Sequence, residues 1–302
     1  MTKDLVSVII PTFGGAELLS RCVDSVLSQT YLNVEIIVVD DNGVGTSKQK
    51  ETEAVMLRYE NIPKVKYICH EKNINGSAAR NTGVKYSEGE FISLLDDDDI
   101  FLPRKIEAQL MTLKSCDDDY AICYCSKETY NATTKVGERH VTQSGNLLYE
   151  VLLHNVIISS TSLLIKRNVW EEFGGFDESF KRHQDWEFTV RVTSKYKVIA
   201  LDEILYRDYV LERYTPKNAN QAKVMRDFYL RKMEPYLNLL TSQQKQKVLQ
   251  YEKRDLAFRF IKELKFKEAH RELKEVNLGF ITYLYFIKRI IKFCYKRIIE
   301  RI

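Results

Sequence analysis

LLSRCVDSVLSQTYLNVEIIVVDDN, residues 18–42, sets a helical period directly against a strand. Leu18, Cys22, Val26 and Gln29 recur at three- and four-residue spacing, which is one face of a helix. VEIIVVD (34–40) is then a short, continuous, β-branched run, as expected of a parallel strand buried on both faces. The same alternation extends outward. VSVII (6–10) precedes it, VKYI (65–68) and EFISLLD (90–96) follow, and helical patterns cover 47–60 and 76–89. Strand and helix in repeated alternation imply right-handed crossovers, hence an α/β fold with a mainly parallel, Rossmann-like sheet flanked by helices. Ligands of such sheets bind beyond the carboxyl ends of the strands. Those ends carry Pro11-Thr12-Phe13, Asp40-Asp41-Asn42 and Asp96 to Asp99, so three polar or aromatic punctuations converge on one edge.

The second half changes character. AICYCS (121–126) and IISSTSLLIK (157–166) read as further strands, with a polar loop over 127–143 between them. Beyond about Thr215 the chain is rich in Gln, Lys and Leu and helical, with Pro216 and Pro235 as breaks. The expected organisation is a catalytic domain over 1–215 and a helical C-terminal extension over 216–302. A net charge of +4 on 302 residues gives no argument for nucleic acid. Six cysteines without a CxxC pair read as the reduced thiols of a cytosolic protein. The apolar run before Pro11 is too short for a signal peptide or a membrane span, so nothing suggests export.

Four adjacent aspartates are costly, because like charges about 4 Å apart repel by up to roughly 4 kcal/mol at a surface-like dielectric. Asp117 to Asp119 sits in a polar loop and reads as a solvated turn. Asp96 instead ends a buried strand at the binding edge, so a divalent cation is the expected compensation. Carboxylates select hard ions, Mn²⁺ or Mg²⁺, and such an ion completes its shell with substrate phosphates. No GxxxxGK[ST] loop and no complete GxGxxG compete for that role. Asp40 and Asp41 would accept hydrogen bonds from a base or ribose and Phe13 would stack on a base. With Asp96, Asp97 and Asp98 they form a track from base to diphosphate. Far downstream, in GGFDESFKRHQDWEF (174–188), Asp185 reads equally as a helix N-terminal residue favoured by the dipole and as a general base.

SVIIPTF, the 18–42 stretch, NGSAARNTG, FISLLDDDDIFLPRKIE and GGFDESFKRHQDWEFTVRV, in that order, resemble the family 2 glycosyltransferases over residues 5–210. The resemblance implies a GT-A fold and an inverting transfer of sugar from a nucleotide-diphosphate donor, a UDP-sugar, to a hydroxyl. By the family's pattern Pro11, Thr12 and Phe13 line the nucleoside pocket and Asp41 binds a uracil-type base. Asp96 and Asp98 match the outer positions of the DxD motif. Asp98 is then the main metal ligand, Asp96 lies near the ribose or a metal-held water, Arg80 near the nucleotide, and Asp185 is the base. The family context implies a glycan or lipid-linked acceptor and polysaccharide synthesis at the cytoplasmic face of the membrane. Several positions depart from the pattern. Gly14-Gly15 replace an asparagine and imply a more mobile loop, DDNGVGT replaces DDGSxD, Gln184 stands for a glutamate, and Tyr209 for a histidine. The rivals are a phosphohydrolase using Asp40 as nucleophile, which lacks the expected downstream lysine and threonine signals, and a degenerate sugar-nucleotide binder or assembly partner.

The tail, 278–302, places Leu284, Ile287, Ile291, Cys294, Ile298 and Ile302 on one helical stripe, with Lys288, Arg289, Lys292 and Lys296 opposite. It is expected to be an interfacial helix on an anionic membrane surface.

Overall fold

The computed structural model describes residues 1–156, 158–209, 218–274, 276 and 287–288. The chain divides into two compact units, Met1–Glu212 and Arg213–Ile302. The first runs β1 (Thr2–Thr12), α1 (Ala16–Leu27), β2 (Val34–Asp40), α2 (Ser47–Met56), β3 (Val65–Cys69), α3 (Gly76–Lys85), β4 (Gly89–Leu94), β5 (Ile100–Phe101) and α4 (Lys105–Lys114). It continues with β6 (Tyr120–Asn131), β7 (Thr134–Arg139), α5 (Leu148–Leu152), β8 (Leu163–Lys166), α6 (Arg167–Glu172), α7 (Gln184–Thr193) and β9 (Lys197–Tyr209). The second unit holds α8 (Ala219–Leu237), α9 (Ser242–Lys262) and α10 (Phe266–Leu273).

The strands form one sheet in the order β3-β2-β1-β4-β8-β6-β9-β5, with β7 paired to β6. β1 pairs in parallel with both β2 and β4, and β2 with β3. Every residue of β2 is buried, as its unbroken apolar run requires of a strand covered on both faces. Helix α3 lies close over this layer: a side chain at Gly83 would come within 2.3 Å of Ile9. Beyond β4 the sheet is mixed. β8 runs antiparallel to β4 and β6, β9 returns parallel to β6, and β5 is antiparallel to β9.

Three local expectations are corrected. The polar stretch 127–143 is not a loop: it continues β6 and turns back as β7, with Lys127 opposite Arg139. All of β7 is exposed, so no apolar alternation marks it as a strand. Among the described residues of 157–166 only Leu163–Lys166 is strand, because Ser160–Ser162 forms a 3₁₀ turn stabilised by a capping box from Ser159. Pro235 does not break the helix but lies inside α8, two residues from its end. Among the described residues no helix is long and apolar enough to cross a membrane. The tail read over 278–302 lies outside them, except for residues 287–288.

Candidate active site

The edge read from the strand ends is built first by β1 and β4. Thr12, the last residue of β1, donates its hydroxyl to Asp97 Oδ2 at 2.7 Å. The loop that follows presses onto the same carboxylate: a Cβ at Gly15 would stand 1.9 Å from Asp97 Oδ2. The glycine pair is thus a packing requirement. Gly14 sits at φ 66° and donates its N–H to Asn42 Oδ1 at 2.9 Å, which ties this loop to the next one. Phe13 is 41% exposed with Lys48 Nζ 4.8 Å from its ring centroid, so it has a face to offer. Pro11 lies within β1, opposite Val39 of β2.

After β2 the two aspartates turn inward. Asp40 has no exposed surface. Its Oδ1 accepts from the N–H and the Nδ2 of Asn42, both at 2.8 Å, and its Oδ2 from the Tyr67 hydroxyl at 2.7 Å. Burial nevertheless pushes its pKa up. A carboxylate so enclosed shapes the turn and has no side open to a ligand or a phosphoryl group, contrary to the roles expected for Asp40. Asp41 Oδ1 accepts from His70 Nδ1 at 2.8 Å and from the N–H of Ile74 at 2.9 Å, and its Oδ2 from Asn73 Nδ2 at 2.8 Å. Among the described residues three of its about four acceptor positions are filled.

The four aspartates after β4 divide by direction. Asp97 faces Thr12. Asp99 is buried, its Oδ2 accepting from Thr161 Oγ1 at 2.6 Å and its Oδ1 from the N–H of Tyr209 at 3.3 Å. Asp96 receives Nη2 of Arg80, whose Nη1 donates to the carbonyl of Gly76 at 2.9 Å. Arg80 stands on α3 and binds the carboxylate run itself. Arg21 of α1 donates Nη2 to the Asp98 carbonyl at 2.9 Å and stacks 4.0 Å from the Tyr209 ring centroid. These constraints bring carboxylate oxygens of Asp96, Asp98 and Asp99 within 4.8 Å of one another. Burial, then the charges of Asp96 and Asp98, push Asp99 well above the usual carboxylate range. Three hard oxygen donors at that spacing fit a divalent cation. Asp99 was not singled out in the sequence, because a DxD reading takes the outer residues of the first three; it is held by the 3₁₀ turn before β8 and by β9, which are remote in the chain.

Asp185 reaches this edge through α3. Asn75 caps α3 and donates to the Glu178 carbonyl at 3.0 Å, while Asn81 exchanges two 2.9 Å hydrogen bonds with the backbone of Phe176. NGSAARN and GGFDESF, about a hundred residues apart, are thereby locked together. His183, at φ 63°, then turns the chain into α7. Glu187, in the first turn, is buried and pairs with Arg191 through two bonds of 2.6 and 2.7 Å. Arg191 in turn holds the Phe173 and Gly175 carbonyls, so Glu187 supports the loop. Asp185 Oδ1 accepts the N–H of Trp186 at 2.9 Å. Its pKa is raised to about 6, first by burial and further by the charge of Asp96, with Arg80 opposing. A carboxylate poised there is a competent proton acceptor at neutral pH.

An acidic cluster at the carboxyl edge of a parallel sheet, facing a carboxylate tuned toward neutrality, defines the GT-A class of sugar-transferring enzymes. The family model for glycosyl transferase family 2 matches residues 7–176, and the chain belongs to that family: it is a glycosyltransferase. It is 32% identical over 232 residues to an uncharacterized glycosyltransferase of Rickettsia prowazekii (strain Madrid E), covering 74% of this chain and 70% of that one. It is also 32% identical over 174 residues to WfgD of Escherichia coli, named a UDP-Glc:alpha-D-GlcNAc-diphosphoundecaprenol beta-1,3-glucosyltransferase, with 57% of this chain and 64% of that one covered. Among solved structures, the mannosyltransferase PcManGT from Pyrobaculum calidifontis, in complex with GDP-Man and Mn²⁺, aligns with a TM-score of 0.61 at 17% identity, over 89% of this chain and 74% of that one. TarS 1-349 of S. aureus, in complex with UDP, aligns at 0.57 and 16% identity, over 88% and 87%. These likenesses show the GT-A fold.

Proposed function

We propose that this glycosyltransferase transfers a sugar, with inversion, from a UDP-sugar to a hydroxyl of a glycan or lipid-linked acceptor in polysaccharide synthesis. The observation that carries the reading is the convergence of Asp96, Asp98 and Asp99 within 4.8 Å on the edge where Asp185 is held near pKa 6. Asp98 and Asp96 would hold Mn²⁺ or Mg²⁺, with Asp99 behind them. Such an ion, when bound, supplies the positive charge that stabilises a departing diphosphate.

The chain's own residues do the rest. Thr12 and Gly15 fix Asp97 and with it the floor under the nucleoside, Phe13 offers its ring to the base, and Asp41 would accept a base N–H. Arg80 fixes the direction of Asp96. Asp185, ionised, takes the proton of the acceptor hydroxyl, which attacks the anomeric carbon opposite the nucleotide. Gln184 Oε1 is buried without a hydrogen-bond partner among the described residues, and a sugar hydroxyl would satisfy it. The donor and acceptor classes follow the names of relatives: WfgD for UDP-glucose and a diphosphate-linked GlcNAc, and an amylovoran biosynthesis glycosyltransferase of Erwinia amylovora, 24% identical over 255 residues. An acceptor of that kind, with the basic tail over 278–302, favours work at the cytoplasmic membrane face.

The test is calorimetric titration of UDP with and without Mn²⁺, on the wild type and on Asp98→Asn. Metal-dependent binding that disappears in the variant is the expected result. Equal binding without metal would remove the diphosphate-clamp role of the aspartate run.

A further inference from the structure

Helix α9, in the C-terminal unit, ends in a turn that spends conformational energy to display apolar side chains. The N–H of Lys265 bonds the carbonyl of Phe260 and the N–H of Leu264 that of Ile261, both at 2.9 Å. This double closure puts its next-to-last residue in the left-handed region, where glycine is the usual occupant. Here that residue is Leu264, at φ 61°. Leucine is strained there. Packing does not compensate, because Leu264 is 61% exposed and Phe266, two residues on, equally 61%.

The charges around this corner are sorted by sign. Arg259, Lys262, Lys267, Arg271 and Lys274 are exposed, whereas Glu263 and Glu268 are half-buried and Glu272 is buried. Glu272 turns inward to Lys223 at 2.8 Å and Arg226 at 2.9 Å, and Glu263 pairs with Lys265 at 2.6 Å. Lys267, Arg271 and Lys274 recur at four- and three-residue steps, one face of α10 and its end. Among the described residues from 259 to 274, no exposed side chain is anionic.

We propose that the α9–α10 corner docks on an anionic lipid surface, with Leu264 and Phe266 entering the interface and Lys262, Lys267 and Arg271 on the headgroups. Two exposed apolar side chains with exposed cations on either side of them in the chain suit shallow insertion. They fall short of a stable protein interface, which buries about 800 Å² per partner. The inference uses nothing from 278–302 and would stand if that tail had no membrane role.

The experiment is flotation of the full chain with vesicles of phosphatidylcholine alone or mixed with phosphatidylglycerol. The wild type is expected to float only with the mixed vesicles. Leu264→Gly removes the strain and the apolar side chain together, so its Tm should rise while its affinity for the mixed vesicles falls several-fold. Lys267→Glu with Arg271→Glu should lose at least tenfold in affinity with an unchanged Tm. Phe266→Trp should shift its emission to the blue on mixed vesicles. Lys288→Glu with Lys292→Glu separates the tail from the corner: if that pair alone abolishes flotation and both corner variants float as the wild type does, the corner proposal is overturned. It is likewise overturned if the wild type floats with neither vesicle, or if light scattering finds a dimer that Leu264→Gly dissolves without any change in flotation.

Discussion

Asp40-Asp41 and Asp96 to Asp99 end the two strands that flank β1, on one edge of one sheet. Both are runs of aspartate after a buried apolar strand. Around the first, uncharged donors and His70 enclose the carboxylates: Asn42, Tyr67, Asn73 and the Ile74 N–H. Around the second, hydroxyls take Asp97 and Asp99, Arg80 takes Asp96, and three carboxylates still crowd within 4.8 Å. Asp40 is thereby a fixed piece of scaffold, and Asp41 is held with three of its acceptor positions filled. The second run retains a repulsion that a cation would relieve. What separates the two is the set of donors that the fold delivers, since the aspartates themselves are alike.

Four experiments would break or sharpen that contrast. The largest effect is expected at the partner of the second run: Asp185→Asn should lower turnover by about 10²–10⁴-fold while leaving UDP binding unchanged. Because the folded state holds the Asp185 pKa above its ordinary value of 3.8, at about 6, ionisation at neutral pH opposes folding. The same variant should therefore melt higher at pH 7, and calorimetry reads both the binding and the melting.

The next pair tests scaffold against site. Asp40→Asn presents an NH₂ to donors that need an acceptor and should cost about 1–3 kcal/mol in urea unfolding. Asp98→Asn removes one of the crowded charges and should leave metal-free stability equal or higher. If both lose stability alike, the two turns are not different in kind.

The third is pH dependence. The raised pKa of Asp185 means the base is protonated below about 6, so kcat/KM should fall roughly tenfold per pH unit below that point and level off above it. A flat profile down to pH 4 would detach Asp185 from the chemistry. The smallest effect is Tyr67→Phe, which removes one donor from Asp40 and should cost about 0.5–1.5 kcal/mol, with no change in donor KM.

Much of this molecule was legible in one dimension. The period of 16–29 against the apolar run of 34–40, repeated, required βαβ units, and the strand ends then brought Pro11, Asp41 and Asp96 to one edge, because side-chain periodicity and crossover handedness are local rules. The parallel half of the sheet followed directly. What the tertiary structure alone decided is the sorting of residues that look identical in the chain. Asp40 became scaffold because Tyr67 and Asn42 enclose it; Asp99 joined the cluster because Thr161 and Tyr209 bury it from the far half of the fold. Lys105, on α4, has no exposed surface and lies 4.0 Å from the Phe101 ring centroid, bonded to Gln109 at 2.7 Å, with its pKa pushed down to about 8 by burial. The exposed strand β7 escaped for the opposite reason, since a strand with no core to face carries no apolar signature. Periodicity reports which face a residue takes; only long-range packing brings the donors and the low dielectric that decide what a carboxylate does there.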